Sequence, residues 1–232
     1  MPPRMIAKGM IARFGIRRIP IALTYEVTWL CNLACRYCDR HTPMRAEMTH
    51  DEIFKALEAF IGLGMEQIHL DGGDPLTHQH IDEIVDWLVK RKMVVSMNTN
   101  GILVPKKIET VRKLSLVKIS LDGSKESHDS MRGAGSFDKA IAGARTAQDA
   151  GVRVEFTCTV GLHNCDSIEA GVEIAEGLGT SVVFQPALNS CSTTPTGTDR
   201  PGSRTPGRSG PRSLGLSRSN GAARPWGTAG RA

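Results

Sequence analysis

The chain has 232 residues, 40% of them hydrophobic, with a formal net charge of +5 and six cysteines. The length fits one domain with appendages, and the apolar share is enough for a core. With no apolar run of about 18 residues and no continuous apolar region near the N-terminus, it reads neither as a membrane span nor as a secreted chain, so a cytoplasmic location is expected.

Residues 1–20 carry Arg4, Lys8, Arg13, Arg17 and Arg18 and no acid. Residues 4–18 are expected to form a short amphipathic helix with Met5, Ile6, Met10 and Phe14 on one side. Such a helix either caps the base of the fold or lies on an anionic membrane as a peripheral contact.

From residue 21, short β-branched runs alternate with helical periodicity. Strands are predicted at 21–28, 67–71, 94–98, 116–121, 152–158 and 181–184. The first helix starts near Asp51, with Thr49 and Glu52 spaced as a capping box. Its Ile53, Leu57, Phe60 and Ile61 share a face. The second carries Ile81, Ile84, Val85, Leu88 and Val89, and further helices are predicted near 105–113, 137–150 and 166–177. Six β–α repeats imply a parallel sheet with right-handed crossovers. A doubly wound sheet and a curved barrel both satisfy that order. Polar or glycine-rich segments follow strands one to four, which favours an α/β fold of the partial (β/α)6 TIM type over one with a single switch point.

Residues 189–232 contain eight Gly, seven Arg, seven Ser, six Thr and five Pro, and no Lys, Glu or Ile. A disordered C-terminal tail is expected, because so little apolar area cannot offset about 1–2 kcal/mol per residue of backbone ordering. Arginine without lysine reads as an out-of-frame or truncated end, against the alternative of a natural flexible tail. The two ends carry +5 and +6, which exceeds the whole-chain charge by six, so residues 21–188 carry −6. An acidic body excludes a broad nucleic-acid footprint.

Three of the six cysteines fall within eight residues, as Cys31-x3-Cys35-x2-Cys38. Clustered thiols point to a metal or redox centre rather than a disulfide framework. An Fe–S cube normally takes four cysteines, so three leave one iron open. An open position on a metal is where substrate binds at catalytic zinc. Zinc itself, with His41 as a fourth ligand, is the competing reading.

The other polar segments have plain readings as well. Gly72-Gly73-Asp74-Pro75 and Asn98-Thr-Asn-Gly101 are both turn chemistry. Arg132, in His128-Asp-x-x-Arg132, pairs either with a ligand carboxylate or with a surface acid. Either Thr157 and Thr159 or Phe156 and Cys158 face the lumen of a barrel. Cys158 and Cys165 lack ligand spacing. His50, His69, His78, His80 and His163 read as structural or solvated.

With Tyr37 just before the last cysteine, the thiol motif resembles the radical S-adenosylmethionine (SAM) superfamily. Its branch is similar to the molybdenum-cofactor, pyrroloquinoline-quinone and peptide-modifying members. The resemblance spans about residues 20–188 and implies a SAM core domain at 21–188. By it, Cys31, Cys35 and Cys38 hold a [4Fe–4S] cluster whose open iron takes SAM. Gly72, Gly73, Asp74 and Pro75 stand where the family has Gly-Gly-Glu-Pro against the SAM amino group. Tyr37, Asn98 and Ser120 contribute to the pocket, Asp122 orders its loop, Arg132 meets the SAM carboxylate and Gln185 lies near adenine. The implied activity is reductive SAM cleavage to a 5′-deoxyadenosyl radical that takes hydrogen from an unidentified small-molecule or peptide substrate. An electron donor such as flavodoxin or ferredoxin is implied too. Many members continue into a further domain with auxiliary clusters, whereas only Cys191 follows strand six here. A truncated inactive relative and a zinc-stabilised binding module are therefore the alternatives.

Overall fold

A computed structural model describes residues 20–38 and 46–187. The basic segment at 4–18, His41 and the tail at 189–232 lie outside the described residues.

The strands are β1 (Ala22–Thr28), β2 (Gln67–Gly72), β3 (Val94–Thr99), β4 (Leu116–Ser120), β5 (Val154–Val160) and β6 (Ser181–Pro186). The helices between them are α1 (His50–Gly62), α2 (Ile81–Lys90), α3 (Ile108–Val111), α4 (Lys125–Arg132), α5 (Ser136–Asp149) and α6 (Ile168–Gly177). Every strand pairs in parallel with the next, in the order β1 to β6. The sheet is an open α/β sheet resembling a partial TIM barrel. A doubly wound sheet would reverse its strand order at a switch point, and this one does not.

Local sequence accounts for most of these elements. Thr49 Oγ1 accepts from the Glu52 N–H at 3.4 Å while Glu52 Oε2 accepts from the Thr49 N–H at 2.8 Å, so the capping box closes α1. Helix α2 buries Ile81, Ile84, Val85 and Leu88, while Val89 lies one step round the helix and is exposed. The helix expected near 105–113 is instead a 3-10 turn at Val104–Lys107 followed by the single turn of α3. Strand β5 starts two residues later than its β-branched run, because the Val152 N–H still bonds Ala147 O at 3.0 Å behind Gly151 at φ 78°.

Helix α4 has no apolar stripe to announce it. Ser124 caps it by accepting from the Ser127 N–H at 3.3 Å, and its buried residues are His128 and Arg132. Tertiary contacts of polar groups hold this helix in place.

Alternation along the strands divides the sheet. Ile68, Leu70, Val95, Met97, Val117, Ile119 and Phe156 are buried in the core beneath the helices. Residues of the other parity are mostly polar, and several pair across strands. His69 meets Ser96 at 2.9 Å and Lys118 meets Glu155 at 3.0 Å. No helix among the described residues is long and apolar enough to cross a membrane.

Candidate functional site

Polar groups that end the strands and the loops after them converge at the carboxyl edge of the sheet, as in barrel enzymes. The loop after β1 is anchored first. Thr28 Oγ1 and the Trp29 N–H both donate to Glu47 Oε1, at 2.7 and 2.6 Å. The loop after β2 lies directly against it, with the Gly73 N–H on Thr28 O and the Asp74 N–H on Leu30 O, both at 2.8 Å. A Cβ on Gly73 would overlap the carbonyl oxygens of Leu30 and Trp29, so only glycine lets these backbones touch.

Asp74 binds the loops after β2 and β3 together. Its Oδ2 accepts from Thr99 Oγ1 at 2.8 Å and from the Asn100 N–H at 2.9 Å, and its Oδ1 from the Leu76 N–H at 3.0 Å. Burial pushes this carboxyl above the usual range, with the three donors pulling it back.

Asp122, wholly buried at the end of β4, gathers a second set. It accepts from Arg132 Nε at 2.6 Å, Tyr37 Oη at 2.8 Å and the Thr159 N–H at 2.9 Å. Arg132 Nη2 adds a longer bond at 3.3 Å, and its guanidinium carbon lies 5.5 Å from the Tyr37 ring centroid. Burial alone would raise the Asp122 carboxyl, but the Arg132 charge and these donors outweigh it and hold it below the usual range. The cysteine loop is tied to the same place, since the Arg36 N–H donates to Met131 O at 2.8 Å.

These loops enclose a cavity of about 320 Å³, within the size range of small-molecule sites. Cys31, Cys35 and Cys38 line one side. Gly72, Gly73, Asn98, Ser120, Thr157, Thr159 and Gln185 line the strand ends, with Tyr37 and Arg132 between. Burial pushes the Cys31 thiol up and the Cys35 thiol up to about 11, and the neighbouring thiols add to both shifts.

The structure therefore brings together most of the residues singled out from sequence. Asp74 and Pro75 stand apart, because both are buried behind the cavity wall and the Asp74 carboxylate is directed into its own loops. Arg132 reaches the cavity, but as the partner of Asp122 rather than as a surface ion pair. On β5 the threonines face the cavity, and Phe156 and Cys158 face the core. Cys158 is buried with its thiol pushed up to about 11, whereas Cys165 is exposed. Thr99 and Asn100, from the Asn98-Thr-Asn-Gly101 segment, line the cavity as well, and so does Asp71, which the sequence reading had not assigned to the pocket. The position of Asp71 just before the Gly72-Gly73 turn was the available signal.

Fold and site define a class: an open parallel α/β barrel segment carrying three thiols on the loop after its first strand. Residues 25–170 match the radical SAM superfamily model, and the chain belongs to that superfamily, a family of enzymes. It is 30% identical over 168 residues to the AdoMet-dependent heme synthase of Methanosarcina barkeri, covering 69% of this chain and 48% of that protein. It is 28% identical over 172 residues to the mycofactocin maturase MftC of Mycolicibacterium smegmatis, covering 70% and 43%. The chain thus spans about half the length of the curated relatives it matches. Streptococcus suis SuiB bound to S-adenosylmethionine has the same fold, with a TM-score of 0.68 at 16% identity over 80% of this chain and 45% of that one. The anSMEcpe structure with bound AdoMet and a peptide gives 0.65 at 21% identity over 78% and 55%.

Proposed function

We propose that residues 21–188 are the core of a radical SAM enzyme, binding a [4Fe–4S] cluster through Cys31, Cys35 and Cys38 and binding SAM in the adjoining cavity. The observation that carries this is the meeting of three thiols and the polar ends of the parallel strands around one cavity. Three thiolates leave one iron of a cube free for a non-protein ligand.

The remaining residues fit SAM in kind. Thr157 Oγ1 is buried without a hydrogen-bond partner, so a polar ligand would satisfy it. The Gly73 and Asp74 N–H groups are already bonded within the protein. That loop therefore offers carbonyl oxygens, which suit an ammonium group. Asn98 and Ser120 supply polar side chains to the same wall. Arg132 adds positive charge beside the cavity while holding Asp122, and through it Tyr37 and the cysteine loop. Asp74 and Pro75 serve the cofactor indirectly, by fixing the loop.

Cluster and SAM together supply reductive C–S cleavage and hydrogen abstraction from an unactivated carbon. The chain's part is to hold both in a walled cavity and to limit water. A small molecule or peptide is the substrate class, a reading supported by the peptide in the anSMEcpe structure and the precursor peptide SuiA on SuiB. A flavodoxin- or ferredoxin-type protein is the electron donor.

Anaerobic reconstitution of the full chain with iron and sulfide, followed by dithionite and SAM, tests the reading. A brown protein with about four irons per chain that releases methionine and deoxyadenosine is expected. Cys35→Ala should lose both the iron and the deoxyadenosine. Reconstitution that yields a colourless, zinc-binding protein, or a Cys35→Ala chain that keeps its iron, overturns it.

A further inference from the structure

A second set of metal-binding side chains sits away from the three-thiol cavity. It lies where α1 and α2 begin. His50 is the first residue of α1, His80 precedes the first turn of α2, and Glu83 lies in that turn. Their nearest ligand atoms all lie within 4.8 Å of one another, the one such set among the described residues.

The two histidines reach the two oxygens of one carboxylate, at distances a small shift would convert to ligation of a shared ion. His50 Nε2 lies 2.9 Å from Glu83 Oε2, and His80 Nδ1 lies 3.4 Å from Glu83 Oε1. In a tetrahedral zinc site with bonds of about 2.0–2.1 Å, ligand atoms stand about 3.3 Å apart. Both distances bracket that value. The two imidazoles meet edge to face, with centroids 5.0 Å apart and their planes at 72°.

One of the ligands is also oriented from behind, as metal-binding histidines usually are. The second ring nitrogen of His50, Nδ1, faces Asp51 Oδ1 at 3.3 Å, and its ring rests against Phe54 at 4.6 Å. The backbone N–H of His80 donates to Nδ1 of His78, a residue almost fully buried, at 3.2 Å, which holds the backbone that carries the second imidazole. Capping does not explain the arrangement, since His80 makes no side-chain capping bond to α2. Two imidazoles and one carboxylate form a donor set that suits zinc and its neighbours among the divalent transition metals.

We propose that His50, His80 and Glu83 form a second metal site, for one divalent transition metal ion such as Zn²⁺, completed by water. None of the three lines the thiol cavity, so the site is independent of the cluster. It joins the starts of α1 and α2, 30 residues apart in sequence, and acts as a clip between them.

Zn²⁺ titration of the full chain tests this. The titration is run on the reconstituted chain, whose three thiols are occupied, and on a Cys31→Ser, Cys35→Ser, Cys38→Ser chain, which lacks them. One equivalent of zinc should bind in both. His50→Ala and Glu83→Gln should each weaken that binding by more than the ~10-fold typical of losing only an outer-sphere partner. His69→Ala should leave it unchanged. Co²⁺ at the same site should show ligand-field absorption without a thiolate charge-transfer band. Zinc should also raise the melting temperature of the parent chain and not of His50→Ala. Zinc binding that is absent, that persists in both ligand variants, or that shows thiolate character with Co²⁺ overturns the proposal. The outcome in the Cys31→Ser, Cys35→Ser, Cys38→Ser chain does not depend on cluster or SAM binding, so that arm stands or falls separately from the proposed function.

Discussion

Replacing Arg132 by Met removes the charge that keeps Asp122 ionised in a buried site. Asp122 has no exposed surface and Arg132 is 8% exposed, so water cannot take over the lost role. Breaking a buried pair by removing one partner costs about 3–5 kcal/mol. Asp122 keeps the Tyr37 hydroxyl and the Thr159 N–H, which places the loss at the lower end, about 3 kcal/mol, or more than about a hundredfold in the folding equilibrium.

The pH dependence gives a second signature. In the parent chain the folded carboxyl sits below its unfolded value. It therefore adds stability above about pH 4 that is lost as pH falls through the folded value. Without Arg132, burial dominates and the folded value rises above the unfolded one. Ionisation at neutral pH then opposes folding, and the penalty shrinks as pH falls toward about 5. Urea unfolding of the reduced, cluster-free chain, followed by tryptophan fluorescence at both pH values, measures the effect. An Asp122→Asn, Arg132→Met pair should cost less than Arg132→Met alone, because no buried charge is left unpaired. A loss below about 1 kcal/mol, the size of an exposed pair, or a penalty that grows on acidification, refutes the reasoning.

Gly73→Ala should force the loops after β1 and β2 apart, because its Cβ overlaps Leu30 O. The two backbone bonds between these loops are lost with it, so about 2–3 kcal/mol of stability is expected to go. Iron retained per chain after reconstitution should fall alongside, and unfolding and iron assays check both. His128 is buried, and burial first, then the Arg132 charge, lowers its pKa to about 4, while its Nδ1 accepts from the Asp122 N–H. Because that value lies below the unfolded ~6.5, the chain should lose about 2 kcal/mol between pH 7 and about pH 5 from this residue. His128→Asn removes that component, and parallel urea midpoints at the two pH values detect the difference.

Much of this protein is legible without coordinates. The order of strands and helices follows from local periodicity, and the three thiols are identified by spacing on one short segment. The α1 capping box likewise depends only on Thr49 and Glu52, three residues apart. In each case the interacting groups are close in sequence, so pattern alone determines the outcome.

The tertiary structure decided the rest. It turned Thr157 and Thr159 toward the cavity, a choice of parity set by which face of the sheet the helices cover. It made Arg132 the partner of Asp122, ten residues away, and built α4 around that pair despite the helix lacking an apolar face. It directed Asp74 into the backbone of the next loop, 26 residues on. It also set His50, which the sequence read only as structural or solvated, beside Glu83, 33 residues away. Such contacts depend on how the helices and loops pack at one edge of the sheet. No periodicity encodes them, because the groups that meet are polar, single and far apart along the chain.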